Sequence, residues 1–184
     1  EVGVEALRRA HKEHPIAALQ SEYSLWSRNA ELGTLAACKE LGIAYVAFSP
    51  MGRAFLSGKL QQVDDLVKGD IRATMPRFTA DAYARNLRLL APMQAVAEKA
   101  DCTLAELAIA WVLAQGEHVI ALPGTTKVEH LHEDVRGGSV KLSAELLAEL
   151  NDIFRPEAIA GDRYALQGQG EVDTEKYAFE KRPG

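Results

Sequence analysis

Only two cysteines occur in the 184 residues, and neither is placed for redox or metal chemistry. Cys38 lies in the helical run LGTLAACKELG and Cys102 just ahead of another helical run. That spacing fits neither a zinc site nor a redox pair, so both read as reduced structural thiols. Histidine is no better grouped. His130 and His132 are two residues apart and point to different faces of a helix. His11 and His14 lie on or at the end of a surface helix and His118 precedes a strand, so no metal centre is expected. No apolar run is long enough to span a bilayer, and no cationic, apolar and then small-residue leader is seen, which leads to the expectation of a cytoplasmic protein. Excess positive charge is also missing: 21 Lys and Arg against 26 Asp and Glu leave a net charge of -5. With no basic stripe, neither nucleic acid nor an anionic membrane is expected as a partner, and any phosphate must be held by local charge. A Gly-rich dinucleotide fingerprint and a Ser or Cys nucleophile elbow are both absent.

What is present is an ordinary apolar share, 47%, in a length that suits one compact domain. Three times the sequence passes from a helical stretch into a short apolar run and then into a polar or Gly-containing loop, the rhythm of an α/β protein. Val4, Leu7 and Ala10 recur at helical spacing in Gly3–Glu13, and His14-Pro15 ends that helix because the residue before proline disfavours the α region. Ile16–Leu19 reads as a strand buried on both faces, and Gln20–Arg28 as its loop. Asn29 is placed to cap a helix to about Leu41, stopped by Gly42. Ile43–Phe48 is a second strand, and Gly58–Thr79 a long irregular stretch of the kind that forms a functional loop.

A helix follows over Ala80–Lys99, kinked or divided at Pro92. Thr103 and Glu106 have capping-box spacing at the head of an apolar helix reaching Ala114. Val119–Leu122 is the third strand; short and longer helices follow over Lys127–Val135 and Ala144–Phe154, the latter capped by Ser143. Residues 156–184 are polar and Gly-rich and read as a tail that packs on the surface or stays mobile, leaving 1–155 as the folded body. Repeated βα units favour a parallel sheet, either a (β/α) barrel or a doubly wound sheet; a closed barrel needs eight strands, and three are found here.

In a barrel, the loops after the strands converge on the active site, and three such loops stand out. The first opens with Gln20, whose amide offers donors and an acceptor to a ligand amide; a polar residue at the wet end of a strand explains it equally. The second is Phe48-Ser49-Pro50-Met51-Gly52-Arg53. An aromatic ring ending a strand can face a flat heterocycle, or simply be core, while Arg53 is within reach of a pyrophosphate if it is not an idle surface cation. The third, Pro123-Gly124-Thr125-Thr126-Lys127, runs into a helix N-terminus, where free N–H groups and the helix dipole attract phosphate. Thr126 and Glu129 have capping-box spacing there, and Lys127 with His130 adds charge for a phosphate monoester.

As a set, LQSEYSLW (19–26), GIAYVAFSPMGRAFLSGKL (42–60), DCTLAELAIAWVL (101–113) and ALPGTTKVEHLHEDV (121–135) closely resemble the aldo-keto reductase family. The motifs SEYSLWSR, DIRATMPRF and NLRLL are most similar to its perakine-reductase-like and auxin-induced-protein-like branch. The resemblance implies the C-terminal portion of a (β/α)8 TIM barrel, about strands 6–8 with their helices, incomplete in this chain, and NADPH-dependent reduction of aldehydes or ketones to alcohols. On it, Gln20 meets the nicotinamide carboxamide and Phe48 stacks on the ring. Ser49, Pro50, Met51, Gly52 and Arg53 cover the pyrophosphate. Gly124, Thr125, Thr126 and Lys127 hold the adenosine 2′-phosphate, with His130 where the family often has Arg. Glu133 and Asp134 stand where a Glu-Asn pair contacts adenine, Asp lacking the amide's two N–H donors. Trp26 belongs to the substrate-pocket wall.

None of the residues matches the family's catalytic Asp, Tyr, Lys and His, so no catalytic residue is assigned and the chain alone is expected to be inactive. The expected partners are a small carbonyl substrate, and either the N-terminal half of the barrel or a second copy covering exposed strand edges. An NADPH-binding regulatory module like the potassium-channel β subunits, or a truncated pseudoenzyme, is the alternative.

Overall fold

The computed structural model describes residues 1–180. Three strands, β1 (Ala18–Glu22), β2 (Ala44–Phe48) and β3 (Val119–Leu122), form a parallel sheet in chain order. Ala18 pairs with Ala44 and Glu22 with Phe48; Tyr45 pairs with Val119 and Phe48 with Leu122. The two β3 borders match expectation, whereas β1 is shifted from Ile16–Leu19 towards the polar Gln20, Ser21 and Glu22. Ladder pairing with β2 overrides hydropathy there, because backbone N–H and C=O groups beside β2 must be paired whatever their side chains.

The sheet's two faces differ sharply. Leu19, Ser21, Tyr45, Ala47 and Val119 share the face that is buried beneath helices. Gln20, Val46, Phe48, Ile120 and Leu122 share the other and are half-buried to exposed, while Glu22, at the end of β1 on that face, is buried. Ile120 is 51% and Leu122 44% exposed. Strand alternation therefore puts an apolar surface beside the candidate Gln20 and Phe48 side chains.

On the covered side, α1 (Val4–Glu13) precedes β1, and α2 (Thr34–Leu41) joins β1 to β2. Asn29 starts a 3-10 turn to Leu32 rather than a continuous helix, and α2 begins after Gly33. A Cβ at Gly33 would lie 2.7 Å from Val4 Cγ2, so α1 packs too closely for any larger residue there. Gly42 ends α2 in the left-handed conformation, φ 69°, as its position predicts. The irregular region Gly58–Thr79 contains three 3-10 turns, Val63–Asp65, Ile71–Thr74 and Pro76–Phe78, and a fourth, Phe55–Ser57, comes just before it.

The expected Ala80–Lys99 helix is two, α3 (Ala80–Leu87) and α4 (Leu90–Lys99). The break falls at Arg88-Leu89, leaving Pro92 in the first turn of α4, where a missing N–H costs no helical bond. The most central helix is α5 (Leu104–Leu113), apolar on every side and buried from Ala105 to Val112. Its capping box forms: Thr103 Oγ1 accepts from Glu106 N at 3.2 Å and Glu106 Oε2 from Thr103 N at 2.9 Å. Trp111 packs on Tyr23 at 5.3 Å and donates through Nε1 to Asn151 at 3.1 Å.

After β3 come α6 (Val128–Gly137), α7 (Ala144–Ile153) and, in the following segment, the short α8 (Leu166–Gly170). Ser143 caps α7, its Oγ accepting from Leu146 N at 3.3 Å. The Thr126–Glu129 capping box does not form. Instead Thr125 Oγ1 accepts from Lys127 N at 3.1 Å, which turns the chain one residue earlier and makes Lys127 the N-cap position. Beyond Pro156 the described chain is pinned down: Asn86 bonds both the N–H and the C=O of Ala160 at 2.8 and 2.9 Å.

Candidate functional site

The loops that follow β2 and β3 meet in one groove. Phe48, at the end of β2, is half-buried on the open sheet face, and Gln20 lies on that face beside Val46 one strand over. The backbone then turns abruptly: Ser49, Gly52, Arg53 and Ala54 all have positive φ, 53°, 56°, 56° and 72°. Three of these are not glycine, a costly conformation that persists only where surroundings enforce it. Gly52 N bonds Ser49 O at 2.8 Å, Phe55 N bonds Gly52 O at 3.1 Å and Leu56 N bonds Met51 O at 3.1 Å. Among the described residues the N–H groups of Met51, Arg53 and Ala54 have no acceptor, so this loop offers free backbone donors.

A cavity of about 620 Å³ opens beside the loop, lined by Phe48, Ser49, Pro50, Met51, Arg53, Ala54, Leu122, Pro123 and Gly124 with Asp70, Ile71 and Arg72 opposite. A second, of about 300 Å³, continues from Met51, Ala54 and Gly124 past Thr125 and Lys127 to Lys59, His130, Glu133 and Asp134. The shared residues make these one groove crossing the C-terminal ends of β2 and β3. Thr126 is exposed next to it and Gly52 packs behind it, where a Cβ would sit 3.0 Å from Trp26 Cε3.

The charges in the second cavity are unevenly paired. Lys59 Nζ lies 3.1 Å from His130 Nε2 and 3.3 Å from Glu133 Oε2. Burial pushes the Glu133 carboxyl up, but a hydrogen bond from the Thr103 side chain and the Lys59 ammonium outweigh it and hold the acid below its ordinary value. Asp134 goes the other way, raised by burial and then by the Glu133 charge, and its Oδ2 is buried with no hydrogen-bond partner. Lys127 is exposed. This end of the groove thus has cationic groups, a carboxylate already paired, and an acceptor in search of a donor.

Three expected site residues stand differently from the rest; the first, Gln20, is exposed on the Phe48 face and lines neither cavity. The Arg53 guanidinium turns inward, 3.3 Å from Tyr164 OH and 3.5 Å from Glu22 Oε2, so only part of it borders the groove. Trp26 is 3% exposed, stacked on Phe55 at 4.1 Å and edge-on to Phe78 at 5.5 Å. It borders a separate cavity of about 210 Å³ with Arg28, Arg77 and Tyr177 rather than the groove.

Lys59, Asp70 and Arg72 were not singled out by sequence reasoning. Asp70 caps the turn, accepting from Arg72 N at 2.9 Å and pairing with its guanidinium at 2.7 Å, while Arg72 also donates to Arg53 O at 3.2 Å. The signals were an Asp-x-Arg turn inside a long loop and a Gly-Lys pair closing the β2 motif. Among the described residues no three His, Cys, Asp or Glu group together as metal ligands, and no helix is long and apolar enough to cross a membrane.

Residues 1–155 match the model of the aldo/keto reductase family. The chain is 40% identical over 177 residues to aldo-keto reductase str7 of Strobilurus tenacellus, an alignment covering 95% of this chain and 53% of that protein. It therefore spans about half the length of this curated relative. The glycerol dehydrogenase AKR11B4 of Gluconobacter oxydans superposes with a TM-score of 0.76 at 25% identity, over 83% of this chain and 46% of that one. A thermostable aldo-keto reductase solved with the inhibitor epalrestat superposes with a TM-score of 0.60 at 24% identity, over 81% of this chain and 44% of that one, and bears on the fold alone.

Proposed function

The chain belongs to the aldo/keto reductase family, and from that premise we propose that it is the cofactor-holding part of an NADPH-dependent reductase of aldehydes and ketones. The observation that carries this reading is the continuity of the groove. An extended dinucleotide needs a flat apolar wall, donors for its pyrophosphate, a cation for its 2′-phosphate and an acceptor for the adenine amino group. Phe48 and the loop of Met51, Arg53 and Ala54, with its free amides, line the first part of the groove, and Lys127 and Asp134, whose buried Oδ2 has no partner, line the second.

Gln20, on the Phe48 face, is assigned to the carboxamide, and Ser49, Pro50 and Gly52 to the shape of the pyrophosphate loop. Gly124, Thr125, Thr126 and His130 complete the 2′-phosphate end, where Lys59 holds Glu133 in place. Trp26 backs the wall from beneath, through Gly52. When bound, NADPH supplies the hydride that reduces the carbonyl carbon.

The proton for the carbonyl oxygen needs an acid of ordinary or lowered pKa. All five tyrosines are shifted the wrong way, each chiefly by burial: Tyr83 and Tyr177 are pushed up to about 12, and Tyr23, Tyr45 and Tyr164 higher still. With no residue here matching the family's catalytic Asp, Tyr, Lys and His, we assign the proton donor to a part of the barrel that this chain does not contribute. Residues 1–155 are read as the C-terminal part of a (β/α)8 barrel, about strands 6–8, in the perakine-reductase-like branch, with 156–184 packed on it.

The exposed Ile120 and Leu122, and the exposed stripe Val128, Leu131 and Val135 on α6, are the surface that the N-terminal half of the barrel, or else a second copy, covers. Both cysteines are free, which suits the reducing cytoplasm where we place the protein.

Titration of the chain with NADPH and with NADH, followed by nucleotide fluorescence, tests the reading. Saturable binding that favours NADPH is expected; no saturable binding of either overturns it. Brisk aldehyde-dependent oxidation of NADPH by the chain alone would overturn the assignment of the proton donor to other residues.

A further inference from the structure

The groove's most strained loop is fastened to a distant part of the chain. Glu22, at the end of β1, is 4% exposed. Its Oε1 accepts from Ser27 Oγ at 2.7 Å, and its Oε2 lies 3.0 Å from Tyr164 OH and 3.5 Å from the Arg53 guanidinium. Arg53 Nη2 in turn donates to Tyr164 OH at 3.3 Å, and its guanidinium sits 5.7 Å over the Tyr164 ring. The tyrosine hydroxyl has one proton and two lone pairs. It donates to a carboxylate, either Glu22 or Glu1 Oε1 at 3.1 Å, and accepts from Arg53.

Neighbouring Arg163 is 5% exposed and bonds Glu1 at 3.1 Å. Arg77, buried beside it, donates to Ser27 Oγ at 2.8 Å, to Trp26 O and, through Nε, to Gly161 O at 3.1 Å. Two carboxylates and three guanidiniums thus tie the β1 end, the β2 loop and the segment 161–164 together. Arg53 itself has φ 56°. A non-glycine residue stays there only when its surroundings over-determine it, and a half-buried guanidinium deprived of its partners is costly.

We propose that Tyr164 is a positioning residue for the Ser49–Ala54 loop, acting through Glu22 and Arg53, so that docking of the segment after Pro156 shapes the pyrophosphate end of the groove. The proposal rests on the cofactor reading of that loop. It implies that Tyr164 acts on a ligand's pyrophosphate more than on the adenosine end, whose charged groups, Lys59, Lys127, His130, Glu133 and Asp134, all lie outside the Ser49–Ala54 loop.

The test compares the chain with its Tyr164→Phe variant in two ways. The first is amide hydrogen exchange without nucleotide at Gly52, Phe55 and Leu56, whose N–H groups close the loop. The second is binding of NADPH and of adenosine 2′,5′-bisphosphate, which has the adenosine end and no pyrophosphate. Expected are exchange at those amides faster by about fivefold with Ala44–Phe48 unchanged, NADPH binding weaker by about five- to tenfold, and bisphosphate binding within about twofold of the parent. Glu22→Gln, which keeps the side-chain volume and an acceptor for Ser27, is the second variant and gives the same pattern.

Unchanged loop exchange in both variants overturns the proposal, as does equal weakening of both ligands, the mark of general destabilisation. Faster loop exchange in a chain whose parent binds no NADPH supports the positioning role and overturns the cofactor reading instead.

Discussion

The loops after β2 and β3 border the same groove but are held by opposite means. Ser49–Ala54 is bent through four left-handed residues, closed by three internal hydrogen bonds, and tied by Arg72 to its Arg53 carbonyl and by Glu22 and Tyr164 to its Arg53 side chain. Gly124–Lys127 has one short local turn, Thr125 to Lys127, and is exposed. The first loop presents backbone donors whose direction must be set in advance; the second presents a charge on a long side chain, which finds a phosphate without being fixed. Shape is bought with strain and cross-ties at one end, and reach with freedom at the other.

Glycine substitutions break this contrast most directly. Gly52→Ala places a side chain at φ 56° with its Cβ 3.0 Å from the Trp26 ring, and about 1–3 kcal/mol of stability is expected to be lost in a denaturant titration. A loss under about 0.5 kcal/mol would show that the loop is not held as described.

Lys127→Ala tests the other end. It is expected to weaken NADPH about tenfold, roughly 1.4 kcal/mol, while NADH is unaffected and the unfolding midpoint does not move. Equal weakening of both nucleotides would remove Lys127 from the 2′-phosphate.

Asp134→Asn probes the unpaired acceptor. The Asp134 carboxyl is raised in the folded chain, by burial first and the Glu133 charge second. The folded state therefore holds this proton more tightly than the unfolded chain, and stability falls as pH rises from the ordinary aspartate value through the raised one. The amide removes that penalty, so the variant should melt slightly higher than the parent at pH 7, with the gap closing as the solution is acidified past both values. A gap independent of pH would point to packing rather than charge.

The smallest effect is expected at Gly124→Ala, where a Cβ meets nothing within 4 Å. Stability should stay within about 0.5 kcal/mol of the parent. A large loss would mean the second loop is as constrained as the first.

Much of the fold was legible because its signals are local. The Thr103–Glu106 box, the Ser143 cap, the Gly42 stop and the β3 borders each depend on residues within one turn of one another. Where two local signals competed, geometry chose: Thr125 turned the chain before Thr126 could cap α6, and Arg88-Leu89 rather than Pro92 divided the long helix. The candidate site was legible as a set of loops after strands, and most of its residues line one groove. Trp26 lies beneath that groove, and Arg53 turns partly away from it.

The sequence alone therefore determined the α/β order, the three strands and the residues at the C-terminal ends of β2 and β3, since periodicity, capping and turn chemistry act over a few positions. Tertiary structure alone decided that β1 runs on to Glu22, that Lys59 sits against His130 and Glu133, and that Tyr164 reaches Glu22 across 142 positions. Those outcomes depend on which backbone groups lie opposite one another and on which buried charges find partners, and pairing at such separations leaves no local mark in the chain.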